Sequence, residues 1–241
     1  MRHATRTLML PVLLCLATLA HATAPPALDR SEEDAARDAT SKPFVMLEFF
    51  GVEPGWHVMD MFAGNGYYSE LLAHHVGAEG RVYVHNNAAY MGFATKLGDR
   101  LKNNRLPNAV MYQRELQDID LRSNSLDMVI LVMAYHDAYY TFNGWDVTIE
   151  PLMKTIHRVL KPGAVLAIID HHAQAGTGTV AAQNLHRIDA EFAKQDIARF
   201  GFRLDGASTA LENADDNLTL SVFDPAVQGR TSRFAYRFVK N

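Results

Sequence analysis

The chain has 241 residues, 48% of them hydrophobic, and a formal net charge of −4 at neutral pH. This length and hydrophobic content are enough for one domain with a sizeable core. The acidic balance and the lack of a basic stripe argue against a nucleic-acid ligand, and the single cysteine, Cys15, excludes an intramolecular disulfide.

The first 22 residues have the pattern of a secretory signal peptide. Arg2 and Arg6 precede an apolar run over residues 8–20 that ends in small residues, with cleavage favoured after Ala22. The run is too short to span a membrane, and no run of about 18 apolar residues follows it. We therefore expect a periplasmic or secreted protein without a stable membrane anchor, and one domain over residues 23–241.

Two short helices are predicted next, and from residue 57 onward apolar runs alternate with helical spacing. The runs predict strands at 57–61, 81–85, 109–113, 126–134 and 164–170, and the helical spacing predicts helices at 67–76, 88–103, 148–160 and 180–200. This order is typical of βαβ units around a parallel sheet. Three strand-like runs without helices, 202–209, 218–223 and 232–239, then predict an antiparallel hairpin at one edge.

A glycine-rich turn joins the first predicted strand to its helix. Residues 58–69 read VMDMFAGNGYYS, so Asp60 ends the strand and Gly64 and Gly66 precede the helix. Glycines let the backbone approach a ligand closely, and the free N–H groups at a helix start suit a polar or anionic group. The segment resembles the first motif of the class I S-adenosylmethionine-dependent methyltransferases.

Further segments match this family in order: Glu115 after the third strand, residues 124–127 before the fourth, and residues 159–163 before the fifth. The resemblance covers roughly residues 43–170. It implies a Rossmann-like, seven-stranded, mostly parallel sheet with helices on both faces and a C-terminal antiparallel hairpin. It also implies S-adenosylmethionine as cofactor and a small-molecule acceptor. The chain most resembles a poorly characterised group of predicted exported bacterial methyltransferases.

The resemblance assigns cofactor binding to one set of residues: Asp60, Phe62, Ala63, Gly64, Asn65, Gly66, Tyr67, Asn86 and Glu115. Two of them depart from the family. Phe62 stands where the family has its first glycine, and Asn86 stands where an acid normally accepts from both ribose hydroxyls. Because an amide offers one acceptor oxygen and no charge, we expect a weaker ribose contact.

Acidic and imidazole side chains follow the fourth and fifth strands. His136 and Asp137 come after the fourth, and Asp170 and His171 after the fifth. Because open α/β sheets bind ligands outside the carboxyl ends of their strands, these residues are expected to lie beside the glycine-rich turn. Two uses are open. Asp137, Asp170 and His171 would hold a divalent ion, as in metal-dependent O-methyltransferases, or His136 or His171 would act as general base.

We take His136, Asp137 and His171 as the catalytic candidates. His186 and Asp189, one helical turn apart, are instead predicted to lie on a solvated helix face.

Three other functions compete with methyl transfer. A nicotinamide dehydrogenase would share Gly64 and Gly66, but the acid that binds the ribose is missing at Asn86. A metal-assisted hydrolase would suit the histidine and aspartate content, although no HExxH motif occurs. A non-catalytic, exported descendant that binds a small ligand would explain Phe62 and Asn86. Ligand binding separates these alternatives.

Overall fold

The computed structural model describes residues 28–142 and 144–241. The predicted signal peptide lies outside the described residues, so export stays a prediction. Within them, no helix combines the length and the apolar character needed to cross a lipid bilayer.

A seven-stranded sheet in the order β3-β2-β1-β4-β5-β7-β6 forms the centre of the domain. The strands are β1 (His57–Met61), β2 (Arg81–Asn86), β3 (Ala109–Gln113), β4 (Leu126–Val132), β5 (Leu160–His171), β6 (Phe202–Ser208) and β7 (Arg233–Lys240). The first five pair in parallel, and β7 runs antiparallel to both β5 and β6. The predicted Rossmann-like sheet with its C-terminal hairpin is confirmed.

Helices cover both faces of this sheet. They are α1 (Glu32–Ser41), α2 (Pro43–Phe50), α3 (Tyr67–Val76), α4 (Ala88–Met91), α5 (Leu97–Leu101), α6 (Ile149–Val159), α7 (Ala182–Leu185) and α8 (Ala190–Ala198). Alternate strand residues point to opposite faces. Met128 and Ile130 of β4 therefore pack with α2 and α3, whereas Val129 and Leu131 pack with α6 and α8.

Two predicted helices are each divided in the structure. The span 88–103 becomes α4 and α5, separated by a turn after Met91, and the span 180–200 becomes α7 and α8. In the second case His186 adopts a left-handed backbone (φ 53°) that ends α7, and the Asp189 side chain accepts hydrogen bonds from the first amides of α8. A capping aspartate favours a new helix start over continuation of the preceding helix.

The predicted strand at 218–223 was wrong, because this run belongs to a turn-rich connection over residues 209–232 between β6 and β7. Its polar side chains bond to nearby backbone: Asn217 accepts from the Thr219 amide, Ser221 from Phe223 and Asp224 from Ala226. Such local hydrogen bonds compete with strand pairing. Since β7 starts where β5 ends, this connection lies at the carboxyl edge of the parallel strands.

Candidate active site

The glycine-rich turn follows β1 and leads into α3. Phe62, Gly64 and Gly66 all have positive φ values, of 57°, 55° and 75°. A Cβ atom added to Gly66 would come within 3.1 Å of Leu97 and Arg100, so this glycine allows α5 to pack closely. A Cβ added to Gly64 would meet nothing within 4 Å. The backbone at Gly64 therefore borders open space, as a turn that receives a cofactor requires.

Asn86, at the end of β2, braces this turn through both ends of its side-chain amide. The Gly64 amide donates to Asn86 Oδ1 at 2.9 Å, and Asn86 Nδ2 donates to the Gly64 carbonyl at 3.0 Å. An aspartate could accept the first bond but could not donate the second. The departure from the family's acid thus has a structural reason, and the Asn86 oxygen is already engaged with backbone.

The Phe62 side chain packs into the domain interior. Its ring is buried among three aromatic side chains, with centroids 5.2 Å from His85, 4.9 Å from Tyr90 and 5.3 Å from Trp145. A left-handed backbone is unfavourable for a non-glycine residue, and burial of a large ring offsets that cost. The bulky residue at the family's glycine position therefore contributes to the core.

The remaining residues of the predicted cofactor set contact neighbouring backbone or helix α1. Asn65 Oδ1 accepts from the Lys96 amide at 2.8 Å, and the Ala63 amide donates to the His85 carbonyl at 2.9 Å. Glu115 Oε1 accepts from the Ala88 amide at 2.9 Å and is half-buried. The Tyr67 hydroxyl donates to Asp38 of α1 at 2.5 Å.

Ion pairs fasten α1 beside the turn. Arg100 bridges Asp34 of α1 and the buried Glu70 of α3, and its Nε donates to the Asn65 carbonyl at 2.6 Å. The Arg37 guanidinium lies 3.9 Å from the centre of the Tyr67 ring, a cation–π contact. Helix α1 therefore forms one wall next to the predicted cofactor turn.

Asp60 supports the turn from inside the domain. Its carboxylate is buried and accepts the Ser69 hydroxyl at 2.6 Å. Burial raises the pKa of Asp60 to about 6, although the hydrogen bonds from Ser69 act in the opposite direction. The role of Asp60 in this structure is to fix the start of α3 against the end of β1.

We expect the Asp60→Asn variant to gain stability relative to wild type as the pH rises. Because the folded-state pKa is raised, the contribution of Asp60 is fully present below about pH 4 and is lost as the pH passes 6. The neutral amide avoids that loss. The unfolding free energy of the variant minus that of wild type should therefore rise by about 2 kcal/mol between pH 4.5 and 7.5. Urea unfolding across this range measures it.

A matched control is Glu150→Gln, at an exposed carboxylate whose pKa is lowered by Lys154. The unfolding free energy of this variant minus that of wild type should instead fall as the pH rises. If the unfolding free energy of Asp60→Asn relative to wild type stayed constant or fell with pH, the raised pKa of the buried Asp60 carboxyl would be contradicted.

Asp170 organises the cluster at the ends of β4 and β5. This fully buried carboxylate accepts from His136 Nδ1 and from the His136 amide at 2.8 Å each, and from the His171 amide at 2.7 Å. The hydrogen bond to Nδ1 fixes the orientation of the His136 ring and leaves Nε2 to face the rest of the cluster.

His136 Nε2 faces a second carboxylate and a second imidazole. It lies 3.2 Å from Asp137 Oδ1 and 3.3 Å from His186 Nδ1. Burial by itself would lower the pKa of His136, but Asp170 and Asp137 raise it to about 10. Burial would likewise raise the pKa of Asp137, but hydrogen bonds from His136 and His186 hold it below its ordinary value. The site therefore favours positive charge at Nε2.

The predicted residues divide into two groups. His136, Asp137 and Asp170 are brought together, whereas His171 turns aside: its ring centroid is 6.0 Å from that of His136, and its Nδ1 is hydrogen-bonded to Thr231 at 2.8 Å. Burial holds the pKa of His171 well below its ordinary value. Asp137, Asp170 and His171 are thus not grouped as a ligand set, because both Asp170 oxygens already accept N–H groups.

His186 is a member of the cluster that sequence reasoning placed on a solvated helix face. Its ring contacts His136, Tyr140 and Phe223, at centroid distances of 5.4, 4.6 and 4.9 Å. No spacing signal identifies it, because its direction depends on the left-handed backbone that ends α7. Asp189, its predicted neighbour on one face, caps α8 instead.

One tyrosine joins the cluster to the glycine-rich turn. The Tyr90 hydroxyl donates to Asp137 Oδ2 at 2.5 Å, while its ring packs on Phe62. Trp145 contacts both rings and donates from Nε1 to the Asp137 carbonyl at 2.7 Å. Tyr90 and Trp145 therefore each contact both Asp137 at the strand end and Phe62 in the turn. The strand-end residues and the turn lie close together, as expected.

Comparison with known proteins points to one family. A family model described as a methyltransferase domain matches residues 53–215, more than half of the chain. An uncharacterized methyltransferase of Synechocystis sp. is 28% identical over 126 residues, which are 52% of this chain and 52% of that protein. The chain thus spans about half the length of this curated relative.

Solved structures agree on the fold. A S-adenosylmethionine-dependent methyltransferase from Aquifex aeolicus superposes with a TM-score of 0.62 at 20% identity, covering 86% of this chain and 93% of the other. Fibrillarin from Aeropyrum pernix, with natively bound S-adenosyl-L-methionine, gives a TM-score of 0.51 at 11% identity, covering 80% and 73%. At these identities the likeness establishes the architecture.

Proposed function

The chain belongs to the family of methyltransferase domains, and on that premise we propose that it moves the methyl group of S-adenosylmethionine onto a hydroxyl group of a small-molecule acceptor. The observation that carries this proposal is the cluster of the buried His136 with the partly buried Asp137 and His186, joined by one tyrosine to the glycine-rich turn. A cofactor site and a polar reaction site thus share one edge of the sheet.

Open backbone at the turn supports cofactor binding there. The space beside Gly64 and the first amides of α3 suit a polar, charged group such as the amino-acid part of the cofactor. Because Asn86 is engaged with Gly64, the ribose contact that its family position usually provides should be weaker. We therefore propose specific but modest affinity for S-adenosylmethionine.

Transfer of a methyl group to oxygen requires that the acceptor hydroxyl lose its proton. The bound cofactor supplies an electrophilic methyl group on a sulfonium. The hydroxyl releases its proton to solvent, the oxygen electron pair forms the new O–CH₃ bond, and the C–S electron pair stays on sulfur. Imidazole groups of His136 and His186, aimed at one point, stabilise the negative charge that develops on the oxygen.

Aromatic side chains around His186 support an acceptor that itself contains an apolar ring. Tyr140 and Phe223 contact the His186 ring, and Phe142 stacks on Tyr140 at 6.2 Å with an interplanar angle of 14°. Phe142 and Phe223 are 55% and 61% exposed. Aromatic side chains next to a few convergent polar groups are the combination that small-molecule sites use.

Calorimetric titration with S-adenosylmethionine and with its demethylated product tests the proposal. We expect saturable heat with wild type, accompanied by a rise in melting temperature. Gly64→Leu should weaken binding at least tenfold, about 1.4 kcal/mol, because its side chain occupies the open space beside the turn.

Gly55→Leu is the matched control. Gly55 also has a positive φ, of 82°, and open space at its Cβ, so a similar backbone cost is expected, but it precedes β1 whereas Gly64 follows this strand. Its affinity should equal that of wild type. No heat and no thermal shift at millimolar cofactor would remove the proposal, and binding without transfer to any hydroxyl acceptor would favour the non-catalytic alternative.

A further inference from the structure

We propose that His136, Asp137 and His186 form a binding site for a divalent transition-metal ion of the zinc type. One ligand atom from each residue faces a common point: His136 Nε2, Asp137 Oδ1 and His186 Nδ1, all within 4.8 Å of one another. This set shares only Asp137 with the ligands predicted from the sequence. It includes a histidine that no sequence pattern singled out.

The separations between the three atoms fit a tetrahedral ion. They are 3.2 Å from His136 Nε2 to Asp137 Oδ1, 3.3 Å from His136 Nε2 to His186 Nδ1, and 3.8 Å from His186 Nδ1 to Asp137 Oδ1. Ligands about 2.0–2.1 Å from a tetrahedral zinc ion are about 3.3–3.5 Å apart. Ligands of an octahedral magnesium ion would be only about 2.9 Å apart.

The chemical nature of the ligands selects the same class of ion. Two imidazole nitrogens and one carboxylate oxygen are a set that zinc accepts in sites that leave a fourth position open. Magnesium and calcium prefer oxygen ligands, and two of the three atoms here are nitrogen.

Each of two ligands is held by a partner outside the set. Asp170 accepts from His136 Nδ1 at 2.8 Å, which is the carboxylate–histidine arrangement that orients an imidazole towards a metal. Tyr90 donates to Asp137 Oδ2 at 2.5 Å and leaves Oδ1 to face the two imidazoles. Because both partners are on the far side of their ligand, the three facing atoms are positioned before any ion binds.

The third ligand is positioned by its backbone. His186 lies in the left-handed region, at φ 53°, and its ring contacts the rings of Tyr140 and Phe223. For a residue other than glycine this conformation has an energetic cost and is found preferentially at functional sites. In this conformation the imidazole faces His136, with 20% of the side chain still exposed.

The role of the ion rests on the proposed function, but its binding does not. A divalent cation next to the acceptor hydroxyl lowers the pKa of that hydroxyl. With the ion bound, His136 and His186 would act on the acceptor oxygen through the ion and not by direct hydrogen bonds, so the ion would take over the charge stabilisation assigned above to the two imidazoles. The open fourth position is where such an oxygen fits a three-ligand site.

The test is a zinc titration of the full chain without an affinity tag, after removal of metal by a chelator. Competition with a chromophoric chelator should give one ion per chain, with no comparable uptake of magnesium. His186→Ala should lower zinc affinity at least a hundredfold. Its side chain is only partly buried, so this variant is expected to fold, and a thermal unfolding curve checks that.

Two further variants make the result specific. Asp170→Asn should weaken zinc binding by about 10–100-fold through the loss of ligand orientation, and His172→Ala, at a histidine of the same strand end outside the cluster, should bind as wild type does. No zinc uptake by wild type, or equal uptake by His186→Ala, would overturn the proposal. Zinc uptake without any heat from S-adenosylmethionine would instead overturn the proposed function alone.

Discussion

His136→Gln is expected to slow methyl transfer by about 10²–10³-fold while leaving the affinity for S-adenosylmethionine unchanged. The loss follows from removal of a preorganised group that stabilises charge on the acceptor oxygen, whose typical contribution is of that size. Cofactor affinity should be preserved because the side-chain polar contacts of His136 are to Asp170, Asp137 and His186, which lie outside the glycine-rich turn.

Single-turnover rates with radiolabelled cofactor, next to calorimetric titration, separate the two effects. His172→Gln is the matched control, since its ring packs on Phe234 at 5.4 Å and lies outside the cluster. It should transfer methyl groups at the wild-type rate. An unchanged rate for His136→Gln, or equal losses in both variants, would mean that the cluster is not the reaction site.

Arg187→Met is expected to reduce the free energy of unfolding by about 3–5 kcal/mol. The Arg187 side chain is fully buried and donates to both oxygens of Asp216, at 2.8 and 2.9 Å, and to the carbonyls of Leu220 and His172. Its removal leaves the Asp216 carboxylate buried without a counter-charge, and loosens the 209–232 connection over the strand ends.

Guanidinium unfolding measures this loss. The double variant Arg187→Met/Asp216→Leu should recover part of it, because an apolar pair replaces the ion pair, although the Ser232 amide then loses its acceptor. Arg203→Met removes an exposed arginine that lies 3.3 Å from Asp205 and should cost less than about 1 kcal/mol. Equal losses of unfolding free energy in Arg187→Met and Arg203→Met would contradict a stabilising role for the buried pair.

The parallel strands could be predicted because they are buried on both faces. Residues 128–132, for example, are continuously apolar, and so short a run between two turn signals is typical of a buried strand and not of a helix. The run at 218–223 alternates apolar and hydroxyl side chains as a half-buried strand does, but Asn217 and Asp224 accept hydrogen bonds from nearby backbone amides, and the run lies in turns. A pattern of apolar residues does not report such side-chain bonds, so this strand was predicted wrongly.

The candidate site was predicted to the level of the sheet edge and no further. The location of His136 and Asp170 could be predicted because the carboxyl ends of parallel strands lie at one edge of the sheet. Which N–H groups Asp170 accepts, and whether its oxygens stay available to an ion, depends on atomic positions within a few ångströms. His186 depends on one left-handed residue at the end of α7, a conformation that sequence spacing does not encode.

The cluster is assembled from parts of the chain that are far apart in sequence. His136 and His186 are 50 positions apart, and Tyr90 and Asp137 are 47 apart. Contacts of such long range form late, because each closes a large loop whose entropy opposes it, and folds rich in them are slow to form. A fragment of the chain, or a chain caught before β4 and β5 have paired, would lack the arrangement altogether. Catalytic activity in this protein would therefore serve as a reporter of completed folding.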